Sequence, residues 1–98
     1  MNELLNLYIK NGISLFDEGE NVIIIPKAIA LEALKLIKEL NLIILGGDIY
    51  TVNSNNVFSH NYDSWYYNGI SSKDSIDSAE NYLSILEDKN LYVSFIFK

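Results

Sequence analysis

The feature that most constrains the fold is a pair of apolar runs in the middle of the chain, joined by a polar turn. Residues 42–45 are apolar at every position, which is typical of an interior strand. The pair Gly46-Gly47 follows at once, and glycines within a strand pattern indicate a bulge or a close approach to the backbone. The strand resumes over residues 48–52, and the asparagine-rich residues 53–56 favour a turn. We expect an aromatic strand over residues 57–67 to return antiparallel to the first.

Three other segments have helical periodicity. In the first, residues 2–11, the predicted buried face consists of Leu4, Leu5, Tyr8 and Ile9. The second, residues 27–40, follows a proline that suits the first position of a helix. Its predicted buried stripe consists of Ala30, Ala33, Leu34, Ile37 and Leu40, and Asn41 is the predicted left-handed stop. The third begins near Asp74 and should bury Ile76, Ala79, Leu83 and Leu86.

Further apolar runs favour strands. Residues 13–16 and 22–25 flank an acidic turn and should pair as a hairpin. Residues 91–97 alternate and should close the sheet. This order of elements implies an α+β fold, a mainly antiparallel sheet of four to five strands with about three helices packed on it. A chain of 98 residues fits a single domain, residues 1–98.

Composition excludes several classes of function. The chain has no cysteine, which rules out disulfides, thiolate metal sites and cysteine nucleophiles. Its net charge is −6, with seven lysines and no arginine, so we expect no nucleic-acid partner and a preference for a basic protein surface. The apolar runs are too short to span a bilayer, and the N-terminus lacks the basic segment of a signal peptide. We therefore predict a cytoplasmic protein without a membrane attachment.

The residues with the most reactive side chains near the centre are Asp48, His60 and Asp63. Together they would make a general base or a metal site. However, residues 60 and 63 of one strand point to opposite faces, and the chain has no second histidine. The glycine pair also lacks the further glycines and the lysine of a phosphate-binding loop. We predict no catalytic residue, no metal ligand and no cofactor, and a small enzyme or metal site built on these three residues stays open as the weaker alternative.

Aromatic residues are concentrated in the returning strand. Alternation places Tyr62 and Tyr66 on one face and Trp65 and Tyr67 on the other. One set should lie in the core and the other should be exposed or covered by a partner. Tyrosine and tryptophan are frequent at interface hot spots and are equally good sheet residues, so the pattern leaves the choice of face open. Trp65 is the predicted core anchor.

Three stretches resemble the immunity protein 40 family of bacterial polymorphic toxin systems. They are residues 33–50, ALKLIKELNLIILGGDIY, residues 62–66, YDSWY, and residues 9–15, IKNGISL. The positions that match the family pattern are Gly46, Gly47, Asp48, Tyr50, Asp63 and Trp65. The resemblance implies a non-enzymatic antidote that binds a cognate toxin and occludes it.

On this resemblance we expect a partner-binding face and a structural motif in the central stretch. The expected partner-binding residues are Asp48, Tyr50, His60, Tyr62, Asp63 and Tyr66. The expected structural motif is Gly46, Gly47 and Trp65. The partner is expected to be a toxin with a basic surface, and the chain a monomer or a homodimer. A homo-oligomeric regulatory or assembly module is the main alternative.

Overall fold

The regular structure consists of three helices and antiparallel strands among the described residues. The computed structural model describes residues 2–15, 22–53, 55, 57–87 and 90–97, without the side chains at positions 2 and 59–62. The elements in these ranges are α1 Asn2–Asn11, β1 Ile13–Ser14, β2 Ile23–Pro26, α2 Lys27–Glu39, β3 Ile44–Val52, β4 Phe58–Tyr66, α3 Ser72–Ile85 and β5 Tyr92–Phe97. The strands form one sheet in the order β1-β2-β5-β3-β4, and every pairing is antiparallel. The predicted α+β fold is confirmed, including the hairpin of β1 and β2 and the interior position of β3. The acidic turn predicted between β1 and β2 lies outside the described residues.

The first helix docks by a different face from the one predicted. Leu4 is buried, and Leu7 and Tyr8 pack against the core, whereas Leu5 is 56% and Ile9 is 72% exposed. The prediction for Leu5 and Ile9 was therefore wrong. Apolar residues follow two overlapping stripes on this helix, and only the docking of α1 against α2 and β2 decides which stripe is buried.

The second helix follows its prediction closely. Ala30, Ala33, Leu34 and Ile37 are buried, and Asn41 ends the segment with φ of 57°. An asparagine tolerates this left-handed conformation better than most residues because its short side chain can hydrogen-bond locally. The backbone N–H of Lys27 donates to the carbonyl of Leu91 at 2.9 Å, so the start of α2 is joined to the residue that precedes β5.

The third helix begins at Ser72, two residues before the predicted start. Ser71 caps it by accepting a hydrogen bond from the N–H of Asp74 at 3.1 Å, as N-cap serines do. The hydroxyl of the fully buried Ser75 accepts from the N–H of Ile44 at 3.0 Å and donates to the carbonyl of Ser72 at 2.7 Å. These contacts fasten the first turn of α3 to the first residue of β3.

The helices cover one face of the sheet. The main core there contains residues of α1, α2 and α3 together with Ile25, Ile49, Trp65 and Val93. A second, smaller cluster lies on the other face, and it consists of Leu15, Ile24 and Tyr50 with Phe58 and Tyr92 against them. This second cluster covers only one end of that face. Among the described residues, none of the helices combines the length and the hydropathy that a membrane span requires.

Replacement of Ser75 by alanine should destabilise the fold. The substitution leaves the buried N–H of Ile44 without an acceptor, which costs about 1–3 kcal/mol. The control is Ser84→Ala on the exposed side of the same helix, where the Ser84 hydroxyl donates to the carbonyl of Asn81. This substitution should change the free energy of unfolding by about 0.5 kcal/mol or less. Urea denaturation measures both variants, and equal stabilities would contradict the role assigned to Ser75.

Candidate partner-binding face

No described element covers one end of the sheet face away from the helices, where three strands lie side by side. Asp48 of β3 stands opposite Ser64 of β4 and Ser94 of β5. Two residues earlier in β3, Gly46 stands opposite Tyr66 of β4 and Ile96 of β5. Residues two apart on a strand share a face. We call this set of residues the open face, and its members are Gly46, Asp48, Ser64, Tyr66, Ser94 and Ile96.

The open face combines exposed apolar groups with one carboxylate. Tyr66 is 78% and Ile96 is 51% exposed, Ser64 is exposed and Asp48 is half-buried, whereas the small residues Gly46 and Ser94 between them are buried. No described residue forms an ion pair with Asp48. An aromatic ring and an aliphatic side chain on either side of a carboxylate can bind a partner that supplies apolar area and a positive charge.

Position 47 must be a glycine, because Trp65 fills the space that a side chain at this position would occupy on the helix side of the sheet. A Cβ built on Gly47 would lie 2.5 Å from Cη2 of Trp65, and the carbonyl oxygen of Ser94 would be closer still. The indole ring stacks on Tyr82 of α3 with ring centroids 4.8 Å apart, and Phe95 of β5 meets it edge-on at 6.0 Å. Trp65 thus packs β4 against both β5 and α3.

Gly46 has a separate role at an irregularity of β3. The register of β3 against β5 shifts between Ile44 and Gly46. Gly46 adopts φ of 149°, a conformation that residues other than glycine rarely adopt. A Cβ at this position would also strike the backbone carbonyl of Trp65. The irregularity ends before Asp48, whose position on the open face depends on it.

Two of the predicted partner-binding residues are not on the open face. Tyr50 is 1% exposed and belongs to the second core cluster, so its ring supports the sheet and is not accessible to a partner. Asp63 is exposed, but it stands opposite Ile49 of the main core, and its Oδ1 accepts from the N–H of Ser64 at 2.9 Å. Asp48 and Asp63 therefore lie on opposite sides of the sheet and do not converge on one pocket.

The remaining predicted residues lie where β4 is irregular. The register of β4 against β3 shifts between Ile49 and Thr51, and residues 60–62 fall within this shift. The backbones of His60 and Tyr62 therefore belong to β4, but their side chains are outside the described part of the structure. Among the described residues, no group of three or more histidine, cysteine, aspartate or glutamate side chains is placed to hold a metal ion.

A groove that no sequence pattern indicated adjoins the open face. Its volume is about 750 Å³, and it is lined by Leu5, Tyr8, Ser14, Val22, Ile23, Asp48, Ser94, Phe95, Ile96 and Phe97. It lies between β5 on one side and α1 with the β1–β2 hairpin on the other. The alternation of Ser94 and Ile96 in the last strand was a sequence signal for the outer face, but nothing in the pattern of β2 shows that the sheet opens there.

Comparison with known proteins identifies one family. The family model described as Immunity protein 40 matches residues 14–97, which is most of the chain. Neither the curated proteins nor the solved structures yield a match to this chain.

Replacement of Gly47 by alanine should destabilise the fold strongly. The added methyl group overlaps the indole of Trp65 and the backbone of β5, and overpacking of this kind costs about 1–3 kcal/mol. The matched control is Ser64→Ala on the exposed side of the neighbouring strand, for which we expect a change of about 0.5 kcal/mol or less. Chemical denaturation followed by tryptophan fluorescence measures both, and a Gly47→Ala variant as stable as the control would contradict this packing.

Tyr8, which lines the groove, should make stability fall at alkaline pH. Burial raises the pKa of Tyr8 to about 12, above the usual value of about 10. Between these values the unfolded chain loses the phenolic proton while the folded chain keeps it, so the free energy of unfolding falls as pH rises, by about 3 kcal/mol in total. In Tyr8→Phe this contribution is absent and the pH dependence should be shallower. Because every other titrating group is common to both proteins, parallel curves between pH 10 and 12 would contradict the assignment.

Proposed function

This chain belongs to the immunity protein 40 family, and we propose that it neutralises a cognate toxin of a polymorphic toxin system by binding it in the cytoplasm. The family match over residues 14–97 is the observation that carries the proposal. The mode of action that we propose is stoichiometric occlusion without catalysis. The separation of Asp48 from Asp63 on opposite faces of the sheet favours occlusion over an enzyme built on those two residues.

The contact surface that we propose is centred on the open face. Tyr66 supplies a large exposed ring, and Asp48 supplies the charge. Tyrosine can bury much area at a low cost in conformational entropy, which is one reason why it is frequent among hot spots. His60 and Tyr62 are further proposed contacts along β4, whereas Asp63 lies on the other side of the sheet and Tyr50 is covered by the second core cluster at the far end of the same side.

The charge of the chain favours a basic partner. With a net charge of −6, the chain attracts positively charged surfaces at long range and repels acidic ones. Complementary charge mainly raises the rate of association and excludes wrong partners. A toxin that acts on an acidic substrate such as nucleic acid would carry a suitable positive surface.

Self-association is the second candidate, and the exposed edge of the sheet favours it. Within the described residues β4 pairs only with β3, and an unpaired edge is a template for another strand. Tyr66 at the end of this strand would add apolar area to such a contact. Sedimentation of the purified chain at low micromolar concentration distinguishes a homodimer from a monomer.

The direct test is a rescue screen with open reading frames of the source genome, beginning with the gene immediately upstream. Each frame is induced in a host with and without this chain. We expect a frame that stops growth alone and is tolerated when the chain is co-expressed, and we expect the two products to co-purify in a one-to-one complex. If no toxic frame is rescued, the proposed function is wrong.

A pair of variants then tests the open face. Tyr66→Ala should weaken the complex by about tenfold or more, as loss of an aromatic hot spot does. Ile70→Ala, at a residue that is 92% exposed and lies outside the open face, is the control and should bind like the parent chain. Calorimetry with the rescued toxin measures both affinities, and equal affinities would exclude Tyr66 from the contact surface.

A further inference from the structure

The sheet divides at β2, because this strand changes its partner halfway along. Ile23 and Ile24 pair with β1, whereas Ile25 and Pro26 pair with β5. Regular continuation of the second pairing would bring Ile23 opposite Phe95, but no such pair forms. The β1–β2 hairpin therefore diverges from the second half of β5, and the groove of about 750 Å³ opens between them.

Beyond Val93, no described strand pairs with the β5 edge that faces β2. The N–H of Lys27 donates to the carbonyl of Leu91, so the backbone groups of Leu91 point toward β2. In an antiparallel ladder these groups alternate from side to side, and the N–H and C=O of Val93 and Phe95 consequently point the same way. Val93 pairs with Ile25, but no described strand pairs with Phe95 on that side. The groove thus contains a free strand edge.

The walls of the groove are apolar and open to solvent. Leu5 and Ile23 stand on one side, Ile96 stands on the other, and all three are about half exposed or more. Such side chains next to an unpaired edge can accommodate an added strand, in which main-chain hydrogen bonds give affinity and alternate side chains give specificity. A compact ligand would leave the edge of β5 unpaired.

The charge in the groove defines the second requirement of the occupant. Asp48 is the only acidic side chain among its described lining residues, and none of those residues is basic. Asp48 stands across β5, next to Ser94. A strand added to the free edge of β5 would be two strand spacings from β3, roughly 10 Å. Only a long basic side chain, lysine or arginine, can cross the small Ser94 and reach the carboxylate.

We propose that the groove receives an extended segment of the toxin, which adds as a strand to the free edge of β5 and directs a lysine or arginine to Asp48. The apolar side chains of the segment alternate with the basic one and pack against Leu5 and Ile23. This inference rests on the proposed function, because the segment belongs to the partner that the chain neutralises. It adds a mode of binding and a sequence pattern that the toxin segment must have.

The test uses the full-length chain and the toxin recovered by the rescue screen, with two measurements on the complex. Asp48→Asn removes the charge and keeps the shape, and it should weaken binding by about tenfold or more, since the partner's charge is left unpaired. Asp63→Asn, at an exposed carboxylate on the other side of the sheet, is the matched control and should weaken binding by about threefold at most. Circular dichroism and thermal unfolding confirm that both variants fold.

Hydrogen exchange supplies the second measurement. Strand addition should slow exchange of the Phe95 amide in the complex by about tenfold or more relative to the free chain. If the toxin binds but Phe95 exchanges at its free rate, strand addition is wrong while the neutralising function stands. If Asp48→Asn behaves like Asp63→Asn, the basic contact is wrong. If the parent chain rescues and binds no toxin, the inference and the proposed function fail together.

Discussion

The contact between Trp65 and Gly47 is the interaction on which the rest of the sheet depends. The indole ring lies where a side chain at position 47 would be, so β3 and β4 can pair closely only because that residue is a glycine. The same ring stacks on Tyr82 of α3 and meets the edge of Phe95 in β5. Aromatic contacts of this geometry contribute about 0.5–1.5 kcal/mol beyond the area they bury. One side chain therefore joins three strands to the helical layer.

This packing also determines what the other side of the sheet presents. Because Trp65 points to the helices, its neighbours Ser64 and Tyr66 point away from them, and Asp48 lies beside Ser64. The second core cluster covers the far end of that face and buries Tyr50. The near end stays open, and it is bordered by a groove where β2 leaves β5 to pair with β1. The exposed tyrosine, the carboxylate and the free strand edge are consequences of one arrangement of strands.

Local patterns predicted most of the elements. The alternation of residues 91–97 predicted a strand, and in the structure one of its two faces, with Leu91, Val93 and Phe95, lies on the core side. Asn41 was predicted as a helix stop because asparagine tolerates the left-handed backbone conformation better than most residues, and the structure has φ of 57° there. These predictions succeeded because each depends on the chemistry of a few adjacent residues.

Predictions that depend on tertiary contacts were less accurate. Leu5 and Ile9 have the right spacing for a buried stripe, yet α1 docks by Leu4 and Tyr8, and only its neighbours α2 and β2 decide this. Tyr50 follows the family pattern as well as Asp48 does, but a second cluster, assembled from Leu15 and Ile24, covers it. The groove depends on a change of partner within β2, which periodicity does not reveal.

Occlusion and catalysis differ in stoichiometry, and a titration of the toxin with this chain distinguishes them. The activity of the toxin is measured while the chain is titrated against a fixed toxin concentration well above the dissociation constant. We expect the activity to fall linearly, to reach zero at one chain per toxin molecule, and to return when the complex is separated. Complete inactivation by a small molar fraction of the chain, or inactivation that persists after the chain is removed, would contradict occlusion.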